Sequence, residues 1–235
     1  MPKSKRAKVV TLSKTEKKGK ELSLRLFSAV RECVDQYQYC FVFSVENMRN
    51  TYLKNVRTEL TDSRLFFGKT KVMAKALGSS AEDEYEENLS QLSKHLTGNV
   101  GLLFTSRDPA SIITYFSEYI QTDFARAGIT ASRSFTIPSG MVFSRGGEIA
   151  EDEDVPLPHS LEQGVRSLGM PTSLVKGRVM LDQPYSVCKE GDVLDSRQTR
   201  LLKMFGVATA EFKVQLLAYW SAATHEITEI ANTDD

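Results

Sequence analysis

Apolar positions recur along the chain with two different periods, and the switches between them mark out the elements. Leu26, Phe27, Val30, Val34 and Tyr37 fall at helical spacing, which predicts a helix with one apolar face. Ser13 and Glu16 open it as a Ser-x-x-Glu capping box, each side chain satisfying the other residue's free amide. Residues 39–45 are aromatic and β-branched and predict a buried strand. A short helix over residues 50–60 turns Leu53, Val56 and Leu60 inward and Lys54 and Arg57 outward. Residues 64–67 read as a second strand, residues 68–71 as a turn, and residues 71–77 as a helix. A strongly acidic helix is predicted from Glu82, with Leu89, Leu92 and Leu96 on one side. Residues 100–104 form a third strand, and Asp108-Pro109 opens the next helix, proline being tolerated in a first turn.

The pattern changes after Phe124. Residues 129–137 and 172–181 predict strands, separated by Pro138, Gly140, Gly146-Gly147, the acidic run 151–154, Pro156 and Pro158. Residues 195–205 return to an amphipathic helix with Leu201, Leu202 and Phe205, residues 212–220 are a last strand, and residues 221–235 are a polar tail without a hydrophobic pattern. The fold class is therefore α/β (α+β): a discontinuous domain of mixed sheet and helices over 13–124 plus 191–220, interrupted by a smaller, β-leaning domain over 125–190. A flexible basic arm over 1–12 and a disordered tail over 221–235 flank them.

Composition narrows the function. The chain has 235 residues, 41% of them hydrophobic and 26% charged, an ordinary globular balance. No apolar run approaches the roughly 20 residues of a membrane helix, and the polar, basic start is not a secretory signal. Three cysteines, Cys33, Cys40 and Cys188, do not make a disulfide framework, which points to a reducing compartment. The net charge of zero is unevenly spread. Residues 1–75 hold 17 basic and 7 acidic side chains, a net of +10, and the rest of the chain carries the balancing −10. Such asymmetry suggests a polyanion-binding end, although a solvated tail or an import signal has the same composition.

Few residue groups point to catalysis. Gly68-Lys69-Thr70 resembles the end of a phosphate-binding P-loop, but the glycine required five positions earlier is Ser63. His95, His159 and His225 are far apart, and no Cys-x-x-Cys pair offers a metal site. No Gly-x-Ser-x-Gly elbow occurs. What remains is a basic face: Lys5, Arg6, Lys8, Lys14, Lys17, Lys18 and Lys20 on the arm and first helix, Lys54 and Arg57 on the second, and Gly68, Lys69, Thr70, Lys71 and Lys75 around the turn. Gly68 would permit close backbone approach or a positive φ, Thr70 would cap the following helix, and that helix start would receive a phosphate.

Several segments match a known family. Phe67-Gly-Lys-Thr70 after a strand resembles the Met-Gly-Lys-Asn-Thr of the ribosomal stalk-base protein, and Gly98-Asn-Val-Gly-Leu-Leu-Phe-Thr105 resembles its Gly-Asn-Val-Gly-Phe-Val-Phe-Thr. Leu168-Gly-Met-Pro-Thr-Ser-Leu-Val-Lys-Gly177, Lys189-Glu-Gly-Asp192 and Leu201-Leu-Lys-Met-Phe-Gly206 align with it as well, so the likeness spans residues 13–220. The chain departs from that protein in stopping 15 residues after Trp220, without an acidic, phenylalanine-containing tail. Its opening, Met1-Pro-Lys-Ser-Lys-Arg-Ala-Lys-Val-Val-Thr-Leu12, with Ser144-Arg-Gly-Gly147 and Asp152-Glu-Asp-Val-Pro156, resembles the mRNA turnover protein 4 family in its fungal form.

That resemblance implies a ribosome biogenesis factor, not an enzyme. It implies binding to large-subunit rRNA at the stalk base of pre-60S particles, as a placeholder later replaced by the stalk protein. Implied partners are the neighbouring ribosomal protein and a release factor, with no cofactor, metal, membrane or small-molecule substrate. The implied location is nucleolus and nucleus, with shuttling to the cytoplasm on the particles, and the family's name carries a link to mRNA decay. Two alternatives stay open: a structural stalk-base protein of mature ribosomes, and a nucleotide-dependent enzyme using Gly68-Lys69-Thr70.

Overall fold

The structure is a computed structural model that describes residues 19–230. Ser13, Glu16 and the basic residues before Gly19 lie outside the described residues, and with them the predicted capping box and arm. In chain order the elements are α1 (Lys20–Gln36), β1 (Tyr39–Glu46), α2 (Asn50–Glu59), β2 (Arg64–Phe66), α3 (Thr70–Leu77), α4 (Leu89–Lys94), β3 (Val100–Thr105), α5 (Pro109–Glu118) and β4 (Gln121–Asp123). They continue with β5 (Phe135–Ile137), β6 (Gly140–Met141), α6 (Glu162–Ser167), β7 (Thr172–Val175), β8 (Arg178–Leu181), β9 (Tyr185–Cys188), α7 (Ser196–Met204), β10 (Ala210–Ser221) and β11 (Ile227–Glu229). The chain divides into two compact units. One draws on the segments ending at Phe43, running Asp62–Arg107 and resuming at Leu217; the other on Ser44–Thr61 and Asp108–Leu216.

The first unit is built on a sheet in the order β11-β10-β1-β3-β2. Every residue of β3 is buried, as expected of an inner strand, and β2 pairs with it antiparallel, Leu65 opposite Leu103. The predicted face of α1 enters the core: Val30 and Val34 are buried together with Cys33, beside Met73, Ala76 and Leu77 of α3 and Leu89 and Leu92 of α4. Trp220, also buried, donates its indole N–H to the Glu87 carbonyl at 3.0 Å. Burial pushes the Cys33 thiol up and carries Cys40 above the range in which it could act as a thiolate.

Two readings of this unit are corrected. The acidic helix predicted from Glu82 is a series of turns, and only Leu89–Lys94 is helical. Asn88 sits in the left-handed region at φ 67°, and Glu84 bends back to accept the amides of Asn88 and Ser90, both at 3.2 Å. Hydrogen bonds from Ser90 and from those amides hold the Glu84 carboxyl below the usual range. The polar tail contains β11, which pairs antiparallel with β10, Tyr219 opposite Thr228. Three residues on the sheet edge are too few to register as a period.

In the second unit, α2 and α5 border the start of β10. Phe212 meets the rings of Tyr52 at 5.3 Å and Tyr119 at 6.3 Å, and β4 pairs with Ala210–Phe212. Arg49 joins the Asp123 carboxylate at 2.7 Å and the Phe124 carbonyl at 2.6 Å. A separate cluster follows, with Phe135, Ile137, Val165, Met170, Val179, Leu181 and Val187 buried together. The strand predicted over 129–137 shrinks to β5, which pairs with β9, while Thr130 makes an isolated bridge to Val193. The strand predicted over 172–181 is a hairpin of β7 and β8, with Val175 opposite Arg178. Lys176 and Gly177, at φ 51° and 79°, form its two-residue turn. Sequence reading missed β6, α6 and β9. It also grouped α7 with the first domain, whereas Leu201, Leu202 and Phe205 pack in this second cluster. An apolar stripe establishes that a helix is buried but not against what.

Candidate nucleic-acid interface

Two helices of the first unit build the site, and their sequences explain why they leave it open. α3 commits Met73, Ala76 and Leu77 to the core, so Lys71 and Lys75, one turn apart, stay outside and exposed. α1 buries residues only from Val30 onward; its first turns place Lys20, Ser23, Leu24 and Phe27 along one stripe. Together Lys20, Ser23, Leu24, Phe27, Lys71, Val72 and Lys75 line a groove of about 320 Å³. Leu24 is 55% exposed, an unusual position for leucine on a helix that has a core to join.

The Phe27 ring is held in place. The Arg31 guanidinium lies over it at 4.4 Å and over the Tyr85 ring at 4.7 Å, while Arg31 Nε donates to the Ala76 carbonyl at 3.2 Å. Tyr85 in turn donates to the Asp35 carboxylate at 2.9 Å, and that carboxylate pushes the phenol up from its ordinary value. Glu21, the acidic residue in the first turn of α1, is paired with Arg25. Among the described residues, Lys20, Lys71 and Lys75 make no ion pair.

Of the basic residues singled out from sequence, Lys20, Lys71 and Lys75 come together at this groove, and Lys69 Nζ reaches Ser23 Oγ at 3.4 Å. Lys5, Arg6, Lys8, Lys14, Lys17 and Lys18 lie outside the described residues. Lys54 and Arg57 stand exposed on α2, in the second unit, and are not groove residues.

The turn itself needs two corrections. Thr70 is the first residue of α3 and not its cap; Lys69 holds the N-cap position, with no side-chain cap. The first amides of α3 are thus left without a side-chain acceptor. Gly68 is not at positive φ. Its missing side chain accommodates Leu26 instead, whose Cδ2 would lie 3.2 Å from a Cβ at that position. The close approach expected of Gly68 is therefore made to α1. Sequence reading also missed Ser23, Leu24, Phe27, Val72 and Arg31. Leu22 and Leu24 were the available signal, being apolar residues off the buried stripe.

Comparison with known proteins agrees with this architecture. A family model described as ribosomal protein L10 matches residues 18–121, and one described as the insertion domain of the corresponding 60S ribosomal protein matches residues 125–207. A ribosome assembly factor mrt4 of Neurospora crassa is 56% identical over 98% of this chain and 94% of its own. The protein of the same name in Schizosaccharomyces pombe is 55% identical over 94% of this chain and 92% of its own. The large ribosomal subunit protein uL10 of Ceratitis capitata is 25% identical over 84% of this chain but only 58% of its own length.

Proposed function

Since the chain belongs to the Mrt4 family of ribosome assembly factors, we propose that it binds large-subunit rRNA during assembly of the subunit, using the α1–α3 face of its first unit. The observation that carries this reading is its double likeness. It resembles assembly factors over nearly its whole length, and the ribosomal L10 model covers the segment that holds α1 and α3. A protein with the RNA-binding architecture of a subunit protein and the identity of an assembly factor is suited to hold that protein's site first and yield it later. The site is the stalk base of the pre-60S particle, the neighbours are rRNA and the adjoining ribosomal protein, and a release factor frees it. The work is done in the nucleolus and nucleus, with export to the cytoplasm on the particle, and is binding and not turnover.

The exposed, unpaired lysines support this reading because phosphate contacts supply affinity and position without reading sequence. Two measurements test it. Sedimentation of the tagged protein should place it with nuclear large-subunit precursors, and recovery with translating ribosomes alone would overturn it. Lys69→Ala with Lys71→Ala should weaken binding to a stalk-base rRNA fragment about 5- to 150-fold, at roughly 0.5–1.5 kcal/mol per contact. Glu86→Ala with Glu87→Ala, on the acidic turns, should leave affinity equal or slightly higher.

A further inference from the structure

A face meant only for phosphates needs no apolar floor, yet this groove has one. Leu24, Phe27 and Val72 lie between Lys20 on one helix and Lys71 and Lys75 on the other, and no carboxylate lines it. We propose that the groove receives a single unpaired base of the bound RNA, stacked on the Phe27 ring against Leu24 and Val72, with its flanking phosphates on Lys71 and Lys75.

The inference rests on the RNA-binding reading above and adds to it a local RNA structure. Three features favour a base over other occupants. At about 320 Å³ the groove sits at the lower end of the roughly 300–1,000 Å³ of ligand pockets, which suits one planar group and not a helix or duplex. Phe27 is clamped by Arg31, itself bonded to the Ala76 carbonyl of α3, so the platform exists before the ligand arrives. The three lysines at the rim are uncompensated, and a nucleotide is the ligand that offers a flat apolar face and anionic flanks together.

The test uses the full chain and two synthetic RNA hairpins of equal length. One carries a single bulged nucleotide and the other is fully paired. The wild-type protein should bind the bulged hairpin about tenfold more tightly, as expected of one stacked base. Leu24→Ala with Val72→Ala should abolish that preference while leaving the salt dependence unchanged. Lys71→Ala with Lys75→Ala should weaken both hairpins alike and reduce the slope of log affinity against log salt by about 1.5. Equal wild-type affinity for the two hairpins overturns the inference, as does an aliphatic variant that keeps the preference; a peptide would then be the groove's occupant. If the lysine variant also binds like wild type, the RNA reading of this face falls with it. A measurement without substitutions guards against misfolded variants: a 5-iodouridine placed at the bulge should photo-crosslink to Phe27, and a cross-link confined to residues outside α1 and α3 contradicts the proposal.

Discussion

The α1–α3 groove and the β7–β8 hairpin use the same materials and arrive at different surfaces. Each sets exposed aliphatic residues beside cations. The groove has Leu24 with Lys20, Lys71 and Lys75; the hairpin has Leu174 and Val175, 51% and 49% exposed, beside Lys176 and Arg178. In the groove the aliphatic residues face a second helix and a fixed aromatic ring, so a ligand entering there loses water on several sides. At the hairpin they project from a two-residue turn on β7, the edge of a three-stranded sheet ordered β6-β8-β7. Exposure alone therefore does not nominate a site. Concavity combined with unpaired charge does, because only an enclosed surface gains much from burial.

The comparison holds only if the groove rests on a rigid support that the hairpin lacks. Gly101 of β3 is where that support is tightest. A Cβ there would lie 2.5 Å from both Phe43 Cζ and the Phe66 carbonyl oxygen. The ring would have to move and β2 would be pushed off β3, two residues before Gly68 and the start of α3. Gly101→Ala should cost about 3 kcal/mol by overpacking and weaken RNA binding with it. Gly177→Ala, at φ 79° with open space around it, should cost only about 1 kcal/mol, the strain of a left-handed alanine, and leave RNA affinity unchanged. Chemical melts and binding of both variants decide the matter, and a larger loss at Gly177 would invert the comparison.

A smaller effect is expected from the hairpin's side chains. Leu174→Ala with Val175→Ala removes two half-exposed groups that meet solvent. Stability should stay within about 0.5 kcal/mol of wild type. Affinity for the bulged RNA hairpin should also hold, in contrast with Leu24→Ala and Val72→Ala. A fall in RNA affinity equal to that of the groove variant would erase the distinction drawn between the two surfaces.

How much of this was legible beforehand depended on element length and on who packs against whom. α1, β1, α2, β3, α5 and β10 each repeat their period long enough to be read, and β10 alternates buried and partly exposed residues down most of its twelve positions. The two residues of β6 and the six of α6 carry too little pattern, and the acidic run at 82–87 shows helix-forming composition while Asn88 and Glu84 tie it into turns. The turn between β7 and β8 was readable in principle, since Lys176-Gly177 divides two β-rich runs by two residues. The lysines of the site announced themselves as charge. The groove between them did not, because Phe27 reads as one more core residue until α3 is known to lie beside α1.

The least of the expected effects tests the far end of the same support. Asp62, just before β2, and Arg107, just after β3, pair at 2.6 Å, with Asp62 also accepting from Ser63 at 3.1 Å. The hydrogen bond from Arg107 holds the Asp62 carboxyl below its ordinary value. A carboxyl whose folded value is depressed adds stability that is fully present above its unfolded value, about 3.9, and is lost as pH falls through the lower folded value. Both side chains are substantially exposed, 53% for Asp62 and 39% for Arg107, so solvent screens the pair. Arg107→Ala should therefore cost only about 0.3 kcal/mol at neutral pH. The Ser63 hydroxyl still bonds Thr105 Oγ at 2.8 Å, which keeps the two strands joined there. Urea melts of wild type and variant should differ by that amount from pH 7 down to about pH 4 and converge below it, with the gap also narrowing in high salt. A difference that persists or widens on acidification would mean that the Arg107 side chain supports β2 and β3 by packing, and that the support beneath the groove is wholly apolar.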